Sequence, residues 1–153
     1  GEPMKVIFVM GIANAGKSTY IKEHLSEFPK VDLFDYQENI KTIDDILKSY
    51  EAVKDEVIEQ LTIHDTVVFE HTLLKAVRRA YYIDAFKAVY TDVELEVILC
   101  HPDLETFKRN ARNRHGVPLH DTMLENIYDD ALSVLEKPTK EEGFSTVTEI
   151  DTK

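Results

Sequence analysis

Val6-Ile7-Phe8-Val9-Met10-Gly11-Ile12-Ala13-Asn14-Ala15-Gly16-Lys17-Ser18-Thr19 is the stretch on which the fold turns. Five consecutive apolar residues, without the alternation of a half-exposed strand, predict a strand buried on both faces of a parallel sheet. From Gly11 the chain fits the pattern G-x-x-x-x-G-K-[ST], and a helix is predicted over Lys17–Phe28, with Pro29 at its exit. Small residues between the glycines let backbone N–H groups curl around phosphate oxygens, and the opening helix adds partial positive charge. Gly11, Asn14, Ala15 and Gly16 would form that cradle. Lys17 would reach the β- and γ-phosphates, Ser18 would place its hydroxyl on Mg²⁺, and Thr19 would support the α-phosphate. At ordinary residue frequencies a chain of this length matches the pattern by chance about half a percent of the time, before the strand–loop–helix context is demanded. A nucleoside-triphosphate site is the expectation.

Outward from this motif, short apolar runs alternate with longer segments of helical period. Strands are predicted at Val31–Phe34, Thr66–Phe69, Glu96–Cys100 and Ser145–Ile150. Helices are predicted at Thr42–Ile63, with Thr42 as N-cap, and at Leu74–Tyr90, Asp103–Arg114 and Leu119–Leu135. The alternation predicts an α/β fold of three layers, a mostly parallel five-stranded sheet flanked by helices. In such sheets ligands bind beyond the carboxyl ends of the strands. Attention therefore falls on Gly11–Thr19, Asp35-Tyr36, Glu70–Thr72 and Cys100–Pro102.

The composition narrows the classes. The chain has 153 residues, 43% hydrophobic and 31% charged, with a net charge of −11. That is the profile of one globular domain spanning 1–153, and a poor one for gripping bulk nucleic acid or an anionic membrane. Gly1-Glu2-Pro3 before Met4 reads as a tag remnant. The longest apolar run is too short to cross a bilayer, so no membrane association is expected. The single Cys100 rules out an internal disulfide framework and fits a reducing, cytoplasmic setting.

Other loop ends offer chemistry. Asp35, after the second strand, is placed to take the proton of an attacking hydroxyl, with Asp32 as competitor. Glu70, after the third strand, is expected to hold Mg²⁺ or its water, and His71 beside it to contact phosphate or acceptor. Lys108-Arg109-Asn110-Ala111-Arg112-Asn113-Arg114 carries four positive charges and no acid. With Arg109 and Arg112 on one helix face, it is expected to form a lid, about 102–118, that closes on the triphosphate. Arg78 or Arg79 could face the acceptor.

These pieces also form an ordered series over about residues 5–150: Gly11–Thr19, Asp35-Tyr36, Val67-Val68-Phe69-Glu70-His71-Thr72, Arg78-Arg79, Phe107-Lys108-Arg109-Asn110 with Arg112 and Arg114, Val117-Pro118, Pro138, and Glu142-Gly143-Phe144. The series resembles the P-loop kinases related to polynucleotide 5′-kinase, a group that includes zeta-toxin-like and chloramphenicol-phosphotransferase-like enzymes. The resemblance implies ATP as donor, Mg²⁺ as cofactor, γ-phosphate transfer to a hydroxyl, and Asp35 as the activating carboxylate. It departs from the group at Gln37, where an Arg is expected, at Phe34-Asp35 in place of paired acids, and at Glu70-His71-Thr72 in place of Asp-x-Thr. Three readings follow: a kinase of a polynucleotide 5′-hydroxyl, such as a short single-stranded end; a kinase of a small metabolite, nucleoside or nucleotide; and an ATP-binding switch or ATPase without an acceptor. The sequence leaves the oligomeric state open.

Overall fold

The computed structural model describes residues 3–116 and 119–153. Gly1 and Glu2 of the expected tag remnant, and Val117-Pro118 of the expected lid, lie outside the described residues. Five strands, β1 (Lys5–Met10), β2 (Lys30–Asp32), β3 (Thr66–Glu70), β4 (Glu94–Pro102) and β5 (Thr146–Thr152), form one sheet in the order β2-β3-β1-β4-β5. Every neighbouring pair is parallel. Helices α1 (Lys17–His24), α4 (Leu104–His115) and α5 (Asp121–Val134) pack on one face, and α2 (Ile43–Gln60) and α3 (Ala76–Val89) on the other.

The continuous apolar run in β1 is explained by this layering. Val6, Phe8 and Met10 join the core under α2 and α3, while Ile7 and Val9 join the core under α1, α4 and α5. Phe8 meets Phe69, Phe86 and Phe144 edge-on at 5.2–5.9 Å between ring centroids, geometries that aromatic pairs prefer. Phe144 of the Glu-Gly-Phe segment is thus a core residue placed just before β5. From β1 the chain runs through α1 to the β2–β3 side, and from β3 it crosses through α3 to β4 on the other side. The C-terminal end of β1 is therefore the switch point at which α/β sheets open a crevice.

Two boundaries move for local reasons. Leu33-Phe34, expected to complete the second strand, instead begins a 3-10 turn over Leu33–Tyr36, because the Asp32 carboxylate accepts the Phe34 N–H (3.0 Å) and folds the chain away from the sheet. The first helix ends at His24 rather than Phe28, and the Phe28 N–H turns back to Leu25 O. The long helix starts where expected, capped reciprocally by Thr42 and Asp45, but ends at Gln60 rather than Ile63, where the Ile63 N–H turns back to Gln60 O.

Gly11 sits where β1 leaves the sheet, with φ +152°, and a Cβ there would lie 2.5 Å from Cys100 O on β4. The Cys100 carbonyl on one side and the Ala15 methyl at 3.3 Å on the other leave nothing flexible to yield. Gly11→Ala is expected to destabilise the protein by about 1–3 kcal/mol, read as a lower urea midpoint. An unchanged midpoint would mean that the loop moves off Cys100 at no cost.

Candidate active site

Beyond the C-terminal ends of β1, β2 and β3 lies an open cavity of about 560 Å³. Its rim on one side is Ala13–Thr19, the loop and first turn of α1. Gly16 precedes that helix in a left-handed conformation (φ +87°) and gives it no side-chain cap, whereas α2 and α4 are capped by Thr42 and Asp103. The α1 amides consequently face the cavity with the helix dipole behind them, the arrangement that receives phosphate. Two side chains hold the loop from outside: Asn110 Nδ2 donates to Asn14 O (3.0 Å), and the Thr152 hydroxyl at the end of β5 donates to Ala15 O.

Lys17 is buried at this rim, with its ammonium donating to Gly11 O (2.8 Å) and Ile12 O (3.0 Å). Burial drives its pKa down to about 8, against the opposing pull of the Glu70 carboxylate. Ser18 Oγ donates to Glu70 Oε2 (2.8 Å). Glu70 and Asp32 are cross-strand partners in register, so both carboxylates project on the α1 side of the sheet. Lys30, two residues before Asp32 on the same face, reaches Glu70 Oε1 (3.4 Å) and Asp32 Oδ2 (3.8 Å). Asp32, Glu70, His71 and Thr72 line the cavity, together with Leu33, Phe34 and Gln37 from the 3-10 turn.

Asp35 is not among these. It stands exposed on the 3-10 turn, while Asp32, its competitor in the sequence, lies on the cavity floor. The turn that Asp32 itself initiates is what swings Asp35 out.

His71 is buried under α2 and α3, with ring centroids of Tyr50 at 5.0 Å, Tyr82 at 5.4 Å and Phe69 at 5.7 Å. Its Nδ1 accepts the Leu73 N–H (3.3 Å), and burial, with Lys17 and Arg78 nearby, pushes its pKa down to about 3. Arg78 lies over the Tyr50 ring (5.3 Å) and does not line the cavity. Arg79 is fully buried, donating to both oxygens of Glu142 (2.6 and 3.2 Å) and to Leu73 O (2.8 Å). It clamps the turn after β3 to the segment before β5.

The basic helix α4 divides its charges. Arg114 lines the main cavity, with its guanidinium 4.9 Å from the exposed Phe34 ring across the mouth. Arg109 lines a second cavity of about 420 Å³ on the far side of the loop, with Tyr20, His24 and the end of β5. Arg112, expected beside Arg109, turns to α5 instead and donates to Leu119 O and Asp121. Lys108 is likewise held by Glu125 (3.0 Å) and Asp121 (3.4 Å). Gly16, Thr19 and Asn110 line both cavities, so the two meet around the start of α1.

No helix among the described residues is long and apolar enough to cross a membrane. No family model matches the chain, and no curated protein does. Solved structures do share its architecture. A candidate kinase from Chloroflexus aurantiacus j-10-fl superposes with a TM-score of 0.74 over 99% of this chain and 89% of that one, at 12% identity. A gluconokinase from Sinorhizobium meliloti 1021 gives 0.61 over 97% and 82%, at 18% identity. A chain of the Pnkp1/Rnl/Hen1 RNA repair complex gives 0.62 over 88% of this chain and 46% of that one, at 14% identity. At such identities the likeness is one of fold: the chain shares its parallel α/β architecture with these structures.

Proposed function

We propose that this protein is an ATP-dependent phosphotransferase that moves the γ-phosphate to a hydroxyl, with a polynucleotide 5′-hydroxyl as the leading acceptor. The observation that carries the reading is the shared floor of the main cavity. The uncapped α1 N-terminus, Lys17 and the Ser18–Glu70 pair line the same space as a second carboxylate, Asp32. Besides starting the 3-10 turn, that carboxylate stands beside the phosphate rim, where an attacking hydroxyl must lose its proton.

Each group then has a task. The Ala13–Thr19 amides and Lys17 take the phosphates, and the second cavity, with Arg109, takes the nucleoside. ATP would draw the Lys17 ammonium off Gly11 O and Ile12 O onto the β- and γ-phosphates, where it would face the charge that the leaving ADP oxygen takes as the P–O bond breaks. Ser18 and Glu70 are hard oxygen donors at hydrogen-bond distance, which suits Mg²⁺ bound with phosphate and water. When bound, that ion offsets charge between the β- and γ-phosphates. Asp32 accepts the proton of the attacking hydroxyl, and Arg114 is the lid cation that faces the transferring group.

A second acceptor class has its own support. Gln37, at the cavity wall where the resembled group has Arg, leaves an acceptor phosphate without that cation, and a gluconokinase shares the fold. A small polyhydroxyl compound is therefore the alternative.

The test is transfer of label from γ-labelled ATP, with Mg²⁺, to a short 5′-hydroxyl oligonucleotide, a nucleoside and D-gluconate. Asp32→Asn is expected to lower transfer about 10²-fold with ATP affinity retained, whereas Asp35→Asn should retain most activity. The reverse pattern would return the base to Asp35. No label on any acceptor, with ATP still bound, would sink the phosphotransferase reading for these classes.

A further inference from the structure

Buried polar atoms in folded proteins nearly always have partners, and one that has none is a question about the site around it. Among the described residues a single buried side-chain nitrogen or oxygen stands without a hydrogen-bond partner, His71 Nε2. The residue is 4% exposed and lines the main cavity. Its other nitrogen, Nδ1, accepts the Leu73 N–H, so the ring is the tautomer that carries its proton on Nε2. The orphan is therefore a donor.

The turn that presents this donor is held on every side. Thr72 O accepts the Gly11 N–H, Leu73 O accepts from Arg79, and Leu73 itself is kept at φ +50°, a conformation that a branched side chain rarely adopts. Such local strain persists only where its surroundings over-determine it. The ring is fixed before anything binds; Nε2 itself is enclosed, and an acceptor oxygen reaches it as the half-buried Tyr50 ring beside it shifts.

We propose that His71 Nε2–H is a substrate-binding donor of the acceptor subsite, and that it holds an uncharged oxygen of the acceptor, a ring ether or second hydroxyl, beside the hydroxyl that reacts. The acceptor then presents a neutral sugar or polyol face at this point, either as a free compound or as the 5′-terminal residue of an oligonucleotide. This rests on the phosphotransferase reading.

The surroundings select a neutral oxygen over a phosphate. The walls around the ring are Tyr50, Phe69 and Tyr82, and the carboxylates of Asp32 and Glu70 share the floor. The neighbouring cations are engaged elsewhere: Lys17 holds the loop carbonyls and, once ATP binds, its phosphates, Arg78 lies over the Tyr50 ring, Lys30 faces the two carboxylates, and Arg114, which lines the same cavity, stands over Phe34 at its mouth. An anion at the ring would lose its hydration without a cation of its own, whereas a hydroxyl or ether oxygen needs only the one donor. A site built around such a bond also rejects analogues that lack the oxygen.

The experiment follows the His71 Nε2 signal in ¹⁵N-histidine-labelled protein, assigned by its loss in His71→Phe, with a non-hydrolysable ATP analogue and Mg²⁺ present. The expected result is a shift on adding uridine, D-gluconate or a 5′-hydroxyl hexanucleotide, and none on adding uridine 5′-monophosphate. With whichever acceptor the enzyme phosphorylates, His71→Phe should raise the acceptor KM at least tenfold and leave the ATP KM in place, and His71→Gln, which keeps a donor, should recover part of the loss. A signal unmoved by every neutral compound overturns the assignment, as does a variant in which both KM values change together. A shift without phosphorylation of any acceptor leaves the subsite standing and the kinase reading fallen, so the two failures are separable.

Discussion

Replacing Lys17 with Met is expected to lower phosphate transfer on the order of 10³-fold, because the variant loses the loop ammonium that can bridge the transferring phosphoryl group and the leaving ADP as charge moves between them. The same change should make the nucleotide-free protein more stable. The Lys17 pKa falls to about 8 because the ammonium is taken out of water, and two carbonyls together with the Glu70 charge do not offset that loss. A folded-state pKa below the ordinary lysine value means that the charged lysine opposes folding, by roughly 3 kcal/mol at neutral pH. Between about pH 8 and 10.5 the unfolded chain still holds this proton and the folded one has released it, so the lysine's penalty fades as pH rises through that window. Cys100 acts in the opposite direction, since burial raises its thiol to about 12, and the net charge of −11 grows more negative as well. The informative quantity is therefore the difference between wild type and Lys17→Met in urea unfolding. It should favour the variant at pH 7 and close by pH 10.5. Added Mg-ATP should raise the wild-type melting temperature and move the variant's far less. A variant that is less stable at pH 7 would show that the Lys17 bonds to the loop outweigh its desolvation.

That trade explains which parts of the site the sequence could reveal. Glycines at the required turns, a lysine and a hydroxyl at the helix start have local signatures, because backbone conformation imposes their spacing on consecutive residues. The sheet was legible for the same reason, since burial on both faces leaves runs such as Val6–Met10 without alternation. The acceptor side depends on rotations that no local pattern records. Asp35 ends the predicted strand, yet Asp32 captures the Phe34 N–H, begins a 3-10 turn and takes the cavity position for itself. An Asp two residues before an N–H it can reach is a turn signal in its own right, and it was available in Asp32-Leu33-Phe34. On α4, the spacing of Arg109 and Arg112 places them near one face, but the helix is rotated by Phe107 and Ala111 seating in the core. Asn110 and Arg114, four apart, are the pair on the phosphate side, and Arg112 finds Asp121 on a helix whose approach the sequence does not give. Lys30 had no signal at all, because its role comes from the register of β2 on β3. Arg79 did have one: it heads the stripe Arg79, Tyr82, Ile83, Phe86 that α3 buries.

Arg79→Ala is expected to cost about 3–5 kcal/mol, a large share of the stability of a domain this size. The guanidinium is fully buried and makes three bonds, two to Glu142 and one to Leu73 O, so truncation leaves a void, a carboxylate held only by Thr139 and an unsatisfied carbonyl together. Its neighbour provides the control. Arg78 is exposed, with only a cation–π contact to Tyr50, and Arg78→Ala should cost less than about 1 kcal/mol. Because part of the penalty comes from leaving Glu142 without its cation, the double substitution Arg79→Met with Glu142→Leu should regain some of it, less what the Thr139 N–H loses with its acceptor. Urea midpoints of the three variants and the wild type read this directly, and equal midpoints for Arg78→Ala and Arg79→Ala would remove the clamp from the account. Function should follow the clamp in one direction. Leu73 O lies two residues from His71 and on the far side of the site from the second cavity, so the refolded double variant should keep its ATP affinity while its acceptor affinity falls. Loss on the ATP side instead would mean that Arg79 holds the loop around Gly11 through the Thr72 carbonyl rather than the acceptor turn alone.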